Sequence, residues 1–218
     1  MSGVAILLAL ASTVRPSSLA AVTALLLSNR PKRLLLAYIL AGFVVSVVIG
    51  VLVVTLLHQL ATKHHKGHAW FELGLGVIAL AGAALVVIRE RRDPEHRQTS
   101  GNGEGKIAKR LRNPSIAGTG VVGILTHAPG AFYLAALDAI IETRPHFVDG
   151  VIQVLVYNLI WFAVPIAALI LSMVDLEHAQ TRVETVASWA RRHERIVGPL
   201  ILAAVGVYLV VKALVKLL

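Results

Sequence analysis

The sequence predicts an all-α integral membrane protein, with six transmembrane helices in two inverted three-helix repeats and the first and fourth helices broken at proline. An apolar composition, a series of apolar runs near membrane-crossing length and a proline pattern that recurs once carry that expectation. Of 218 residues, 56% belong to the set AVILMFWYC before 17 glycines are counted. Soluble domains reach only about 45–50% with glycine included. Charged residues make up 15%, against roughly 25% in a soluble domain. A chain of 23.3 kDa has too little interior to hide so much apolar surface, and a mean hydropathy of +0.75 agrees.

A helix crosses the hydrocarbon core with about 20 mainly apolar residues. The first run, Gly3 to Ser28, carries one charge, Arg15, at its middle. Pro16 would break a soluble helix, but a membrane helix tolerates it where neighbours satisfy the freed carbonyl. A cleaved signal is not expected here, because a basic leading region and an Ala-x-Ala site are missing. Leu34 to Leu57 is the second run and has no formal charge. The third, Leu73 to Ile88, reaches full length if Ala69 to Glu72 join it at the interface. Ser115 to Leu137 is the fourth, interrupted only by His127, and Gly150 to Val174 is the fifth. The last runs from near Ile196 to the end, with Lys212 and Lys216 able to snorkel outward.

Orientation follows from Lys and Arg in alternate loops. One side receives fifteen of them, in the loops after the first, third and fifth runs, and the other side five. The basic side is expected to face the cytoplasm, with both termini outside. The polar, glycine-bearing stretch from Arg89 to Pro114 then reads as a flexible basic cytoplasmic linker between halves 1–88 and 115–218. Within the second half, residues 175–195 place Leu176, Ala179, Val183, Val186 and Ala190 at spacings of three and four. With Asp175 as its cap, this segment is expected to be an amphipathic cytoplasmic helix on the membrane surface. A solvated helix bridging two spans is the alternative.

Each half opens with a proline-interrupted run: Ser12-Thr13-Val14-Arg15-Pro16-Ser17-Ser18 in one, Leu125-Thr126-His127-Ala128-Pro129-Gly130 in the other. Each such run ends in a proline turn, Asn29-Arg30-Pro31 and Thr143-Arg144-Pro145, at nearly the same distance from the break. Three spans is an odd number, so the second half enters from the opposite face, and the halves are related by an axis in the membrane plane. Transporters built this way hold substrate near the midplane, where paired helices break.

Charge at membrane depth is unfavourable and marks function. Arg15 is expected either to pair with Asp138 as a structural ion pair or to bind an anion in a cavity surrounded by the hydroxyls of Ser12, Thr13, Ser17 and Ser18. At the second break, Thr126, His127 and Tyr133 flank Pro129 and Gly130, and polar groups at both breaks can line one common site. His127 is either a group that titrates near neutral pH and couples transport to protons, or a neutral, hydrogen-bonded buried ring. Gln153, Tyr157 and Asn158 in the fifth run add donors that line the same cavity or join helices.

Other chemistry is weaker. His64, His65 and His68 follow the second run, and His64 and His68 have the spacing of two ligands on one helical face. Flanking Lys63 and Lys66 repel cations, so metal binding there is the alternative and a solvated turn the expectation. No Gly-x-Ser-x-Gly elbow, His-Glu-x-x-His helix, P-loop or Asp-rich diphosphate motif is present, so an enzyme is not expected. With no cysteine, disulfides, thiol relays and Cys-zinc sites are excluded, and no cofactor is expected. The formal charge of +9 sits in loops rather than in a stripe interleaved with aromatics, which argues against nucleic acid.

Two inverted triplets with a proline-broken first and fourth helix resemble the lysine-exporter superfamily. Within it, Arg15-Pro-Ser-Ser-Leu-Ala-Ala-Val followed by Leu-Leu-Leu-Ser-Asn-Arg-Pro is similar to the peptidoglycolipid- and sulfolipid-addressing proteins of actinobacteria. The resemblance implies a bacterial plasma-membrane protein that helps move an anionic lipid or glycolipid toward the cell envelope. Its implied partners are membrane lipids, a larger lipid transporter and further copies of the chain. Export of a small solute or divalent metal is the alternative within the superfamily, and a non-transporting assembly factor for a larger transporter is the second. The expected binding site is the pair of segments around Arg15-Pro16 and Thr126 to Gly130.

Overall fold

The computed structural model describes residues 3–13, 15–63, 115–143 and 145–217, with scattered positions from 73 to 84. The described residues form helices and no strand. The chain runs α1 (Gly3–Thr13), α2 (Pro16–Leu26), α3 (Pro31–Lys63), α4 (Ile116–Thr126), α5 (Ala131–Ile141), α6 (Phe147–Trp161), α7 (Ala163–Val174) and α8 (Leu176–Leu217). Among the described residues, by length and composition, Pro31–Leu56 of α3 can cross a membrane, and there are up to three spans if the bent pairs α1–α2 and α6–α7 each count as one.

The first break has a local cause. A residue before proline is pushed out of the helical region, and Arg15 is extended, with φ −105° and ψ 126°. Pro16 then opens α2, where its missing N–H is no loss. The two helices are bent by 50°. The fourth apolar run also divides, at His127 to Gly130, with Gly130 extended at φ −108° and ψ −177° before α5.

The fifth run departs from expectation. Read as uninterrupted from Gly150 to Val174, it is bent by 59° where α6 meets α7, at Phe162. Pro165 explains the position. Its ring crowds the carbonyl of Trp161 four residues earlier, and its nitrogen has no hydrogen to bond there, so the bend falls before the proline.

The segment from Asp175 is helical but does not end near residue 195. It is the first half of one 42-residue helix, α8, that continues without a stop through the last apolar run. Its inward stripe is Ala179, Val183, Ala187 and Ala190, whereas Leu176 and Val186 are 37% and 36% exposed. Ala187 and Ala190 pack on Leu19 of α2 with Val164 of α7 beside them, and Gln180 Nε2 donates to Leu26 O at 2.9 Å. Protein, not lipid, therefore covers the stripe. Asp175 does cap the helix, its Oδ1 accepting from the His178 backbone N–H at 3.1 Å.

Helix α3 organises the rest. Leu36, Leu40, Val44, Val48, Leu52 and Leu56, four apart, are exposed on one face. Tyr38, Gly42, Ser46 and Gly50, also four apart, are buried on another. Large apolar side chains outside and small or polar ones inside are the arrangement of a helix in lipid. α3 packs most extensively on α4, where Gly123 lies against the Tyr38 carbonyl and a methyl on Gly42 would come within 2.9 Å of Gly123 O. On α8, a methyl at Gly206 would come within 2.7 Å of Leu80 Cγ, so part of the third run is seated there. The rest of that run, the 89–114 linker and His64, His65 and His68 lie outside the described residues.

Gly123→Ala is expected to lower stability by about 1–3 kcal/mol through overpacking, whereas Gly3→Ala, with open space around it, leaves it unchanged; thermal unfolding in detergent compares the two. The hydrogen bond from the His178 backbone holds the Asp175 carboxyl below the usual carboxylate range. A carboxyl depressed in the folded state stabilises at neutral pH, and that contribution is lost as pH falls through the depressed value. Hydrogen-exchange protection at the start of α8 should therefore decline in acid in the native chain, but not in Asp175→Asn.

Candidate functional site

A break inside a helix frees carbonyls on one side and N–H groups on the other, and in lipid these need partners from the protein. The two breaks supply each other. Arg15 Nη1 donates to Thr126 O, at the end of α4, at 3.4 Å. Gly130, which opens α5, is also adjacent: a methyl there would sit 3.9 Å from Arg15 Nη2. Ser46 Oγ donates to His127 O at 3.1 Å. Thr13 Oγ1 shares its hydrogen between Ala9 O at 2.9 Å and Ile160 O at 3.0 Å, just before the bend in the fifth run.

A chain of hydroxyls also joins the breaks through α3. Ser18 Oγ lies 3.1 Å from Tyr38 OH, which lies 2.9 Å from Thr126 Oγ1. Thr126 Oγ1 in turn contacts Val122 O at 2.9 Å and His127 Nδ1 at 3.1 Å. His127 is buried, with Nδ1 3.2 Å from Gly123 O and its ring stacked on Phe162 at 3.9 Å. That is the setting of a packed, hydrogen-bonded ring. Tyr133 OH donates to Ser46 O at 2.6 Å and accepts from Asn158 Nδ2 at 3.2 Å. Gly50 makes room for it, since a methyl there would collide with the Tyr133 hydroxyl. Ser12 Oγ lies 3.1 Å from Tyr157 OH.

Arg15 is half-buried at the centre. Its Cζ stands 5.8 Å from the Trp161 ring centroid, within range of a cation–π contact. Among the described residues no carboxylate is within ion-pair distance of it. Asp138 is fully buried, but it lies seven residues into α5 and is not among the groups set against Arg15. At 1.5 Å rise per residue that is roughly 10 Å past the break. Of the two readings of Arg15, the ion pair with Asp138 is not formed; a carbonyl and an aromatic face stand in that place. The helices α2 and α5 both begin here, and neither has a side-chain cap. The positive ends of two helix dipoles thus meet beside a guanidinium, an arrangement suited to an anion.

Of the residues expected at the site, Ser12, Thr13, Arg15, Ser18, Thr126, His127, Tyr133 and Asn158 join this network. Ser17 and Pro129 are half-buried at the starts of α2 and α5, and Pro16 opens α2. Gln153 turns to Thr143 at 3.4 Å instead. Sequence reasoning missed Tyr38, Ser46, Trp161 and Phe162. The four-residue spacing of Tyr38, Gly42, Ser46 and Gly50 was the signal for the first two; Trp161 and Phe162 are revealed only by the bend.

A family model described as Sap, sulfolipid-1-addressing protein, matches residues 6–215, which takes in both breaks and the whole network. The chain belongs to this family. Searches of curated proteins and of solved structures find no match. Its apolar helices and its place in the Sap family make it a membrane protein.

Tyr38→Phe in this Sap-family chain removes the hydroxyl between Ser18 and Thr126 and is expected to lower stability by about 1 kcal/mol. Ser18→Ala in the same background should add less than it does alone, with a coupling of roughly 0.5 kcal/mol or more. Unfolding of the two single variants and the double variant in detergent measures it; strictly additive losses would exclude the relay.

Proposed function

We propose that the protein binds an anionic lipid or glycolipid where the two helix breaks meet and helps move it outward toward the cell envelope, without enzymatic chemistry. One observation carries the reading. A guanidinium at the meeting point of two uncapped helix starts is held by a carbonyl and an aromatic ring, so its charge remains for an anionic headgroup. The family's name, a sulfolipid-addressing protein, supports the same class of cargo.

The architecture that goes with this reading is of the lysine-exporter type: six spans in the bacterial plasma membrane, with halves 1–88 and 115–218 inverted about an axis in the membrane plane. Support comes from the two broken helices, whose proline-interrupted segments meet, and from the Lys and Arg bias, which favours a cytoplasmic linker 89–114 with both termini outside. The partners are membrane lipids, with a larger lipid transporter and further copies of the chain as protein partners. A purely accessory assembly factor has no need of paired breaks with polar groups between them, which favours a lipid-handling role. Export of a divalent metal would rest on His64, His65 and His68.

In proteoliposomes containing a fluorescent sulfated glycolipid, the native chain should move lipid between leaflets, and Arg15→Gln should reduce this about tenfold or more, the size of one lost charge-assisted contact. Arg15→Lys should retain part of the activity, because the charge remains without the planar fork. Unchanged movement in Arg15→Gln would remove Arg15 from the mechanism. No lipid movement by the native chain alone would point to the accessory role.

A further inference from the structure

We infer that Trp161 is a second headgroup ligand, its indole N–H and the Arg15 guanidinium together donating to one sulfate- or phosphate-ester oxyanion. This rests on the reading of Arg15 as the headgroup-binding charge and adds a donor of different chemistry. Trp161 is 2% exposed, and its Nε1 has no hydrogen-bond partner among the described residues. An indole nitrogen can only donate, and a buried donor left unmade is unfavourable. Three polar groups on the neighbouring rings are directed to other partners. Tyr157 OH lies against Ser12, Tyr133 OH donates to Ser46 O, and His127 Nδ1 faces Gly123 O. Arg15 stands over the same ring, its Cζ 5.8 Å from the centroid, so the guanidinium and the indole meet at one contact.

The bend in the fifth run is what brings this about. Trp161 is the last residue of α6, immediately before the 59° turn, and its ring lies 5.2 Å from those of His127 and Tyr133. The indole therefore belongs to the meeting point of the breaks rather than to a lipid-facing surface. One charged and one neutral donor on the same contact match an acceptor with several oxygens sharing a negative charge. A tetrahedral ester oxyanion is such a group, and a neutral sugar headgroup is not.

The test uses the full chain in nanodiscs with 3-O-sulfogalactosylceramide, galactosylceramide or inorganic sulfate as probe. With only three tryptophans in the chain, the Trp161 indole N–H resonance can be assigned by its loss in Trp161→Phe. In the native chain it should move downfield with the sulfated lipid and stay in place with the neutral one. Movement with inorganic sulfate alone also supports the pair and identifies a free oxyanion as a ligand; no movement with either anion overturns it. By native mass spectrometry, Trp161→Phe, which keeps an aromatic face under Arg15, should bind the sulfated lipid about tenfold more weakly and galactosylceramide unchanged. Full binding in Trp161→Phe with loss in Arg15→Gln would overturn the role of Trp161 and leave that of Arg15 standing, whereas full binding in Arg15→Gln would overturn the headgroup reading itself.

Discussion

A helix cannot break in a lipid environment unless the backbone groups it frees find partners within the protein, and the structure is arranged around two such breaks satisfying one another. Arg15 leaves the first break to reach the last carbonyl of α4, and Ser46 covers the carbonyl of His127. Thr13 reaches across to the carbonyl before the third discontinuity, at Phe162. Because each break is completed by residues from another element, none can be described alone. The bundle closes on this point.

Close approach is what allows so many polar groups to meet. The seam between α3 and α4 is built from Gly42, Gly123 and the Tyr38 backbone, where a single added methyl has no room. That proximity sets Tyr38 between Ser18 and Thr126, and the rings of His127, Phe162 and Trp161 fill the space beyond. Partial removal from water strengthens the field of the Arg15 guanidinium, and two helix starts add to it with the same sign. The interior therefore combines dense packing with a positive centre that has no carboxylate beside it among the described residues, which is the physical basis for the proposed anionic headgroup.

Much of the chain was legible in the sequence because the relevant signals are local. A proline and the residue before it constrain their own dihedral angles, so the discontinuities near Pro16 and Pro129 could be located from spacing alone. Asp175 was recognisable as a cap because capping involves only the next few residues. The bend at Phe162 was less apparent, since Pro165 acts on a carbonyl four residues upstream and displaces the discontinuity from itself. In α8, the apolar spacing identified an amphipathic helix but not its cover, because α2 and a membrane surface make the same demand on the stripe.

The amino-acid order by itself determined an apolar, all-helical chain, a guanidinium set deep within an apolar run, and which residues could break a helix. Those are properties of composition and of neighbours along the backbone. Only the tertiary structure decided that Arg15 meets Thr126 and Trp161 rather than Asp138, and that Tyr38 links two distant segments. These pairings depend on where bent helices converge in space, which follows from the bend angles and from packing between elements, neither of which has a one-dimensional signature.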